Sequence, residues 1–128
     1  MKDKPLLLIN FKAYEEAIGE RGIKLAKVIE KVAGQAGANV AIAVQIAEIG
    51  KFASSVGIPV YSQHVDGVQF GAFTGWILPE TVRSVGAVGT LLNHTEHQVN
   101  MDSLRESISR SKECSLNISK IMAMGKHC

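Results

Sequence analysis

The stretch Gly89-Thr90-Leu91-Leu92-Asn93-His94-Thr95-Glu96-His97-Gln98 decides how the rest of the chain is read. A short apolar run stops at Asn93, and Asn93, His94, Thr95 and Glu96 follow it with no turn residue between. A buried strand that ends this way delivers hydrogen-bonding and charged groups to one edge of a sheet. Working outward, the same arrangement recurs. The run at 5–11 (PLLLINF) carries Asn10 and leads into Lys12; the run at 38–44 (ANVAIAV) leads into Gln45; the run at 58–65 (IPVYSQHV) carries Gln63 and His64. Taken alone, Gln45 and Gln63 read as ordinary strand ends meeting solvent.

These runs, with 87–93 as the fourth, are continuous in apolar residues instead of alternating, which suits parallel strands covered on both faces. Helical patterns separate them. Leu25, Val28, Ile29 and Val32 fall at helical spacing, with Lys24, Lys27, Glu30 and Lys31 on the other side. Gly34 and Gly37 end that helix. A shorter helix is expected over 47–55, another opens at Leu78-Pro79-Glu80 with proline in the first turn, and Asp102 is placed to cap a fourth carrying Leu104 and Ile108. Alternating strand and helix imply a parallel sheet with right-handed crossovers. It closes either as an open doubly wound sheet or as a barrel. A nucleotide-binding open sheet carries a glycine-rich turn after its first strand; here the first strand ends Asn-Phe-Lys-Ala-Tyr, with no glycine before Gly19. In a barrel the polar strand ends converge on one face.

Composition limits the partners. The chain has 128 residues, 46% hydrophobic and 20% charged, with a net charge of +2, which is the profile of one globular domain, 1–128. No basic run and few aromatics argue against nucleic acid. The apolar run near the N-terminus is too short for a signal sequence or a membrane span. Cys114 and Cys128 are expected as reduced thiols in a cytoplasmic protein. His94, Glu96 and His97, with His64, match no established zinc spacing, so no metal is expected.

Four segments, LINFKAY (8–14), IPVYSQHVD (58–66), GAFTGWILPE (71–80) and GAVGTLLNHTE (86–96), occur together, in order and at coherent spacing. In this the sequence resembles the triosephosphate isomerases, the archaeal branch most closely, over about residues 4 to 114. The resemblance implies parallel βα repeats, about four units forming the N-terminal half of a (β/α)₈ barrel. It also implies interconversion of dihydroxyacetone phosphate and glyceraldehyde 3-phosphate, in glycolysis and gluconeogenesis, with no cofactor. By the same resemblance Asn10 and Lys12 line the substrate site, and the Lys12 ammonium offsets phosphate and enediolate charge. His94 polarises the carbonyl, a part that a neutral imidazole is known to play in that family, and Glu96 supports the lysine. Thr74 and Phe73 lie in the loop that meets a neighbouring subunit.

The resemblance also has gaps. A full barrel takes roughly 250 residues. The family's glutamate base, its phosphate lid and its late glycine-rich turns have no counterpart here. Val44 stands where proline is usual and Gln98 where a basic residue is common. The segment 115–128 takes the place of a fifth strand but matches it poorly. The expectations are a chain inactive alone, completed by a second copy or by a complementary half-barrel chain. The alternative is a non-catalytic half barrel that binds phosphorylated ligands or isomerase subunits.

Overall fold

A computed structural model describes residues 5–120. Five strands, β1 (Leu6–Asn10), β2 (Asn39–Val44), β3 (Val60–Ser62), β4 (Gly89–Leu92) and β5 (Asn117–Lys120), form one parallel sheet in the order of the chain. The helices are α1 (Gly19–Ala36), α2 (Ile49–Ser55), α3 (Pro79–Ser84) and α4 (Met101–Glu113). Single 3₁₀ turns at Glu15–Ala17 and Ile46–Glu48 precede α1 and α2. Strand order settles the choice of closure. A doubly wound sheet reverses direction at a switch point, whereas β1 to β5 advance one neighbour at a time, as the wall of a barrel does. The architecture is a half barrel.

Burial follows the period-two alternation of the strands. Ile42 and Val44 of β2 face the helices, where they join Phe11, Ile49, Phe52, Val82, Leu92 and Leu104 in the main core. Phe52 is fully buried and forms a T-shaped pair with Phe11, with ring centroids 5.8 Å apart at 81°; burying such a side chain contributes about 1.5–3 kcal/mol. On the opposite face Ala41 and Ala43 pack with Tyr61 and Leu91. Desolvation there pushes the Tyr61 phenol above its ordinary pKa.

Four expectations need correction. Gly34 lies inside α1, and Gly37 caps the helix with φ 65°. β1 is not covered on both faces: Leu6 and Leu7 are exposed, because β1 is an edge strand with β2 as its neighbour in the sheet. The stripe on α1 is displaced as well. Gly22, Ile23, Ala26 and Ala33 are the buried positions, while Val28 and Val32 remain 57% and 54% exposed. Close approach explains the shift, since a Cβ on Gly22 would meet the Ala17 backbone at 2.5 Å and the Phe52 ring at 2.7 Å. The helix is seated through its small residues, and Val28 and Val32 turn toward the β1 edge, where they line an apolar groove with Leu7, Ile9 and Val40. Finally, Asn100, not Asp102, caps α4, its Oδ1 accepting the Ser103 N–H at 2.8 Å.

The segment that matches poorly contributes β5, which pairs Asn117 to Lys120 with Gly89 to Leu92. Cys114 ends α4 as a free thiol, its pKa raised first by burial. Cys128 lies outside the described residues. Among those residues no helix is long and apolar enough to cross a membrane.

Candidate functional site

The site is built on backbone that turns sharply where β1 and β4 end. Lys12 has φ 53° and Asn93 has φ 59°. Asparagine tolerates this left-handed region because its short amide bonds locally. Here Asn93 Oδ1 accepts the Val99 N–H at 3.0 Å and spans the whole polar turn. Lysine has no such device of its own, and its strain is held by neighbours. Asn10 Oδ1 accepts the Lys12 N–H at 3.0 Å. Gln63 Nε2, from the end of β3, donates to the Lys12 carbonyl at 3.0 Å and to Asn10 Oδ1 at 3.2 Å. Gln63 is thus a cross-sheet tie that its sequence position disguised as an ordinary strand end.

The polar ends then meet. Lys12 Nζ donates to Glu96 Oε2 at 3.1 Å, linking the loops after β1 and β4. The hydrogen bond to Glu96, followed by its charge, raises the Lys12 pKa, so the ammonium stays charged throughout the physiological range. Both groups are accessible, which makes the pair salt-sensitive and a weak source of stability. The Lys12 ammonium also lies 5.9 Å from the Tyr14 ring centroid. In the turn after β4, Glu96 N–H donates to His94 Nδ1 at 3.1 Å and His97 N–H donates to the His94 carbonyl at 2.7 Å. An Nδ1 that accepts leaves the ring proton on Nε2, available to donate to a ligand. Asn10, Lys12, Gln63, His94, Glu96 and His97 line one pocket of about 250 Å³. A fixed cation and an imidazole donor facing one small space suit a compact anion carrying a carbonyl.

Other marked residues lie elsewhere. Thr74 and Phe73 are exposed in the loop between β3 and α3, with Phe73 edge-on to Trp76 at 6.3 Å. Beneath that loop Arg110 of α4 is buried; it donates to the Val68 carbonyl at 2.8 Å and to both Glu80 oxygens at 2.5 and 2.6 Å. The guanidinium holds the Glu80 carboxyl below its usual range, and Glu80 in turn holds Arg110 above its own. Among the described residues no group of three histidine, cysteine or carboxylate side chains is arranged to hold a metal ion. The His64 and His97 rings stack on one another instead of converging on a point.

Comparison with known proteins agrees over nearly the whole chain. A profile of the family described as triosephosphate isomerase matches residues 5–124. The triosephosphate isomerase of Metallosphaera sedula is 47% identical over 112 residues, covering 88% of this chain and 49% of that protein. That of Methanobacterium bryantii is 42% identical over 117 residues, covering 91% and 52%. Among solved structures, triosephosphate isomerase from Bartonella henselae superposes with a TM-score of 0.78 at 15% identity, over 91% of this chain and 51% of that one. The chain therefore spans about half the length of the curated relatives it matches.

Proposed function

The chain belongs to the triosephosphate isomerase family, and from that premise we propose that it carries the first half of an isomerase site for dihydroxyacetone phosphate and glyceraldehyde 3-phosphate. The observation that supports this most directly is the meeting of Lys12 and Glu96 at 3.1 Å, in a pocket shared with Asn10 and His94. In this reading Lys12 offsets the phosphate and the developing enediolate charge, while Glu96 keeps its ammonium in place. His94 Nε2–H donates to the carbonyl oxygen as the enediolate forms, and Asn10 lines the substrate. No cofactor takes part, and the cytoplasm, where triose phosphates are handled, is the compartment.

Proton abstraction and exclusion of water fall to groups outside the four matched motifs. Positioned acid–base catalysis is worth about 10²–10⁴ in rate, and closing a site against water adds to it. In this reading these 128 residues by themselves are inactive, and association with the other half of a barrel completes the site. The exposed β1 edge, the apolar groove beside it and the loop bearing Phe73 and Thr74 are the surfaces for that association. A non-catalytic half barrel binding the same phosphorylated ligands is the second reading, supported by the Lys12 pocket residing within this chain.

A coupled isomerase assay separates the two. The purified chain is measured alone and with a polypeptide carrying the C-terminal half of an archaeal relative, while sedimentation equilibrium follows assembly. Turnover is expected with the complementary half, and its loss in Lys12→Met. Turnover by the chain alone within an order of magnitude of a full-length relative would refute the proposal. Binding with no turnover in the mixture favours the non-catalytic reading.

A further inference from the structure

The turn that presents His94 and Glu96 is exposed from Thr95 to Gln98. Most of its described hydrogen bonds are internal, running from Glu96 and His97 to His94 and from Val99 to Asn93. Among the described residues, two side-chain contacts tie Glu96 and His97 to other loops. One is the Lys12–Glu96 pair, which is accessible and screened by salt. The other is a stack: the His97 ring lies on the His64 ring with centroids 3.9 Å apart and planes inclined by 22°.

The lower ring of that stack is firmly held. His64 is 6% exposed, and its Nε2 meets Asp66 Oδ1 at 2.9 Å. Asp66 is itself fixed twice to Ile77, its Oδ2 accepting the Ile77 N–H at 2.7 Å and its own N–H donating to the Ile77 carbonyl at 2.9 Å. The Ser62 hydroxyl donates to the His64 carbonyl at 2.6 Å from the other side. His64 is therefore a platform, and His97 is the part of the turn that rests on it.

We propose that His97 is a positioning residue, which holds the His94–Glu96 turn by stacking on His64 and loosens it when the His97 ring takes up a proton. The titratable groups around His97 are His64 and Asp66 from the loop after β3, Lys12 from the loop after β1, and His94 and Glu96 from its own turn. A proton on His97 has to sit partly desolvated against the His64 ring, while the Asp66 oxygens already accept from His64 and from Ile77. Partial burial of the ring, and then His64, hold the His97 pKa below the ordinary histidine value, with Asp66 opposing. The residue as a whole is exposed, so the desolvated part is the face against the platform. A depressed folded value means that the stack contributes fully above the unfolded value of about 6.5 and is lost as pH falls through the folded value. The consequence for phosphate binding rests on the isomerase-half reading; the anchoring of the turn does not.

The test uses the whole 128-residue chain and two variants, His97→Ala, which removes the ring, and His97→Phe, which keeps a stacking ring that cannot be protonated. Hydrogen-exchange protection of the Glu96 and His97 amides is measured at pH 7.5 and 5.5, with the Ile42 amide of β2 reporting that the sheet is intact. In the natural chain, protection is expected to fall by about two- to tenfold at the lower pH, the range that a ring pair contributes. His97→Ala should lack this protection at both values, and His97→Phe should retain it at both. Two results would overturn the proposal: His97→Ala keeping natural protection, or His97→Phe keeping the natural pH dependence, which would assign that dependence to His94. In parallel, inorganic phosphate is titrated and read through the His94 ring resonances. If phosphate binds none of the three proteins, the consequence for ligand binding by this chain alone fails, while the protection pattern still decides the role of His97.

Discussion

Replacing Gln63 tests whether the candidate site is held by the sheet or merely displayed on it. The Gln63 amide nitrogen has two hydrogens and faces three oxygens: the Lys12 carbonyl at 3.0 Å, Asn10 Oδ1 at 3.2 Å and the Ala43 carbonyl at 3.4 Å. Only the first two have good length. Each partly buried bond contributes about 0.5–1.5 kcal/mol net, so Gln63→Leu should destabilise the chain by roughly 1–3 kcal/mol in urea unfolding. The loss should concentrate at Lys12, whose left-handed backbone is a strained conformation for a side-chain-bearing residue. Gln63→Glu is the sharper variant. An ionised carboxylate has no hydrogen to donate and faces three acceptor oxygens, so the neutral acid is the form the site accepts. Its folded pKa should rise above the unfolded value of about 4.3. A raised value places the stabilisation below the unfolded pKa and removes it as pH rises through the folded one. The variant should therefore approach the natural chain under mildly acidic conditions and fall well below it at pH 7. Equal urea midpoints for Gln63→Leu and the natural chain, with unchanged exchange at the Lys12 amide, would refute the reasoning.

Arg110→Leu should cost about 2–3 kcal/mol in urea unfolding, since it removes charge-assisted bonds to Val68 and Glu80 and leaves their oxygens unpaired; the estimate is held down because Glu80 is about a third exposed. Glu80 has a depressed folded pKa, so its contribution is complete above the unfolded value of about 4.3 and drains away as pH falls through the folded value; thermal melts of the natural chain and Glu80→Gln should converge in acid. Gly22→Ala should destabilise by about 1–3 kcal/mol although alanine favours helix, because the new Cβ meets the Ala17 backbone and not a movable side-chain tip; a higher melting temperature for this variant would contradict the seating of α1.

What the sequence made legible, and what it hid, follow from two kinds of signal. Apolar runs that break into polar residues located β1 to β4 and the turns bearing Asn10, Lys12, His94 and Glu96, because parallel strands bury their middles and free their C-terminal ends. The covered face of α1 was not legible. Leu25, Val28 and Val32 carry the hydrophobic period, but contact with the sheet runs through Gly22, Ala26 and Ala33, and small residues contribute little to any hydrophobic count. β5 was hidden for the opposite reason. Asn117, Ser119 and Lys120 give it little apolar character, and it forms as a strand by pairing with the β4 backbone. Gln63 and His64 looked alike as polar strand ends; the difference lies in partners distant in sequence, Lys12 for one and His97 for the other.

Fold and site pose one problem in this chain. Neighbouring strands lie about 4.8 Å apart, so the ends of β1 and β4, three steps apart, are separated by roughly 14 Å of sheet. The Lys12–Glu96 pair spans that distance and the Gln63 amide spans two of the three steps. Both links depend on the strands keeping their order and curvature, and β1 is an edge strand among the described residues, with β2 as its sheet neighbour and Leu7 and Val28 exposed beside it. An edge strand therefore leads into the Lys12 cation of the candidate site. Covering the groove of Leu7, Ile9, Val28 and Val32 would act on the same strand that ends in Asn10 and leads into Lys12. A surface that closed that edge would stiffen the candidate site by the same contact, because the edge strand and the Lys12 turn are continuous backbone.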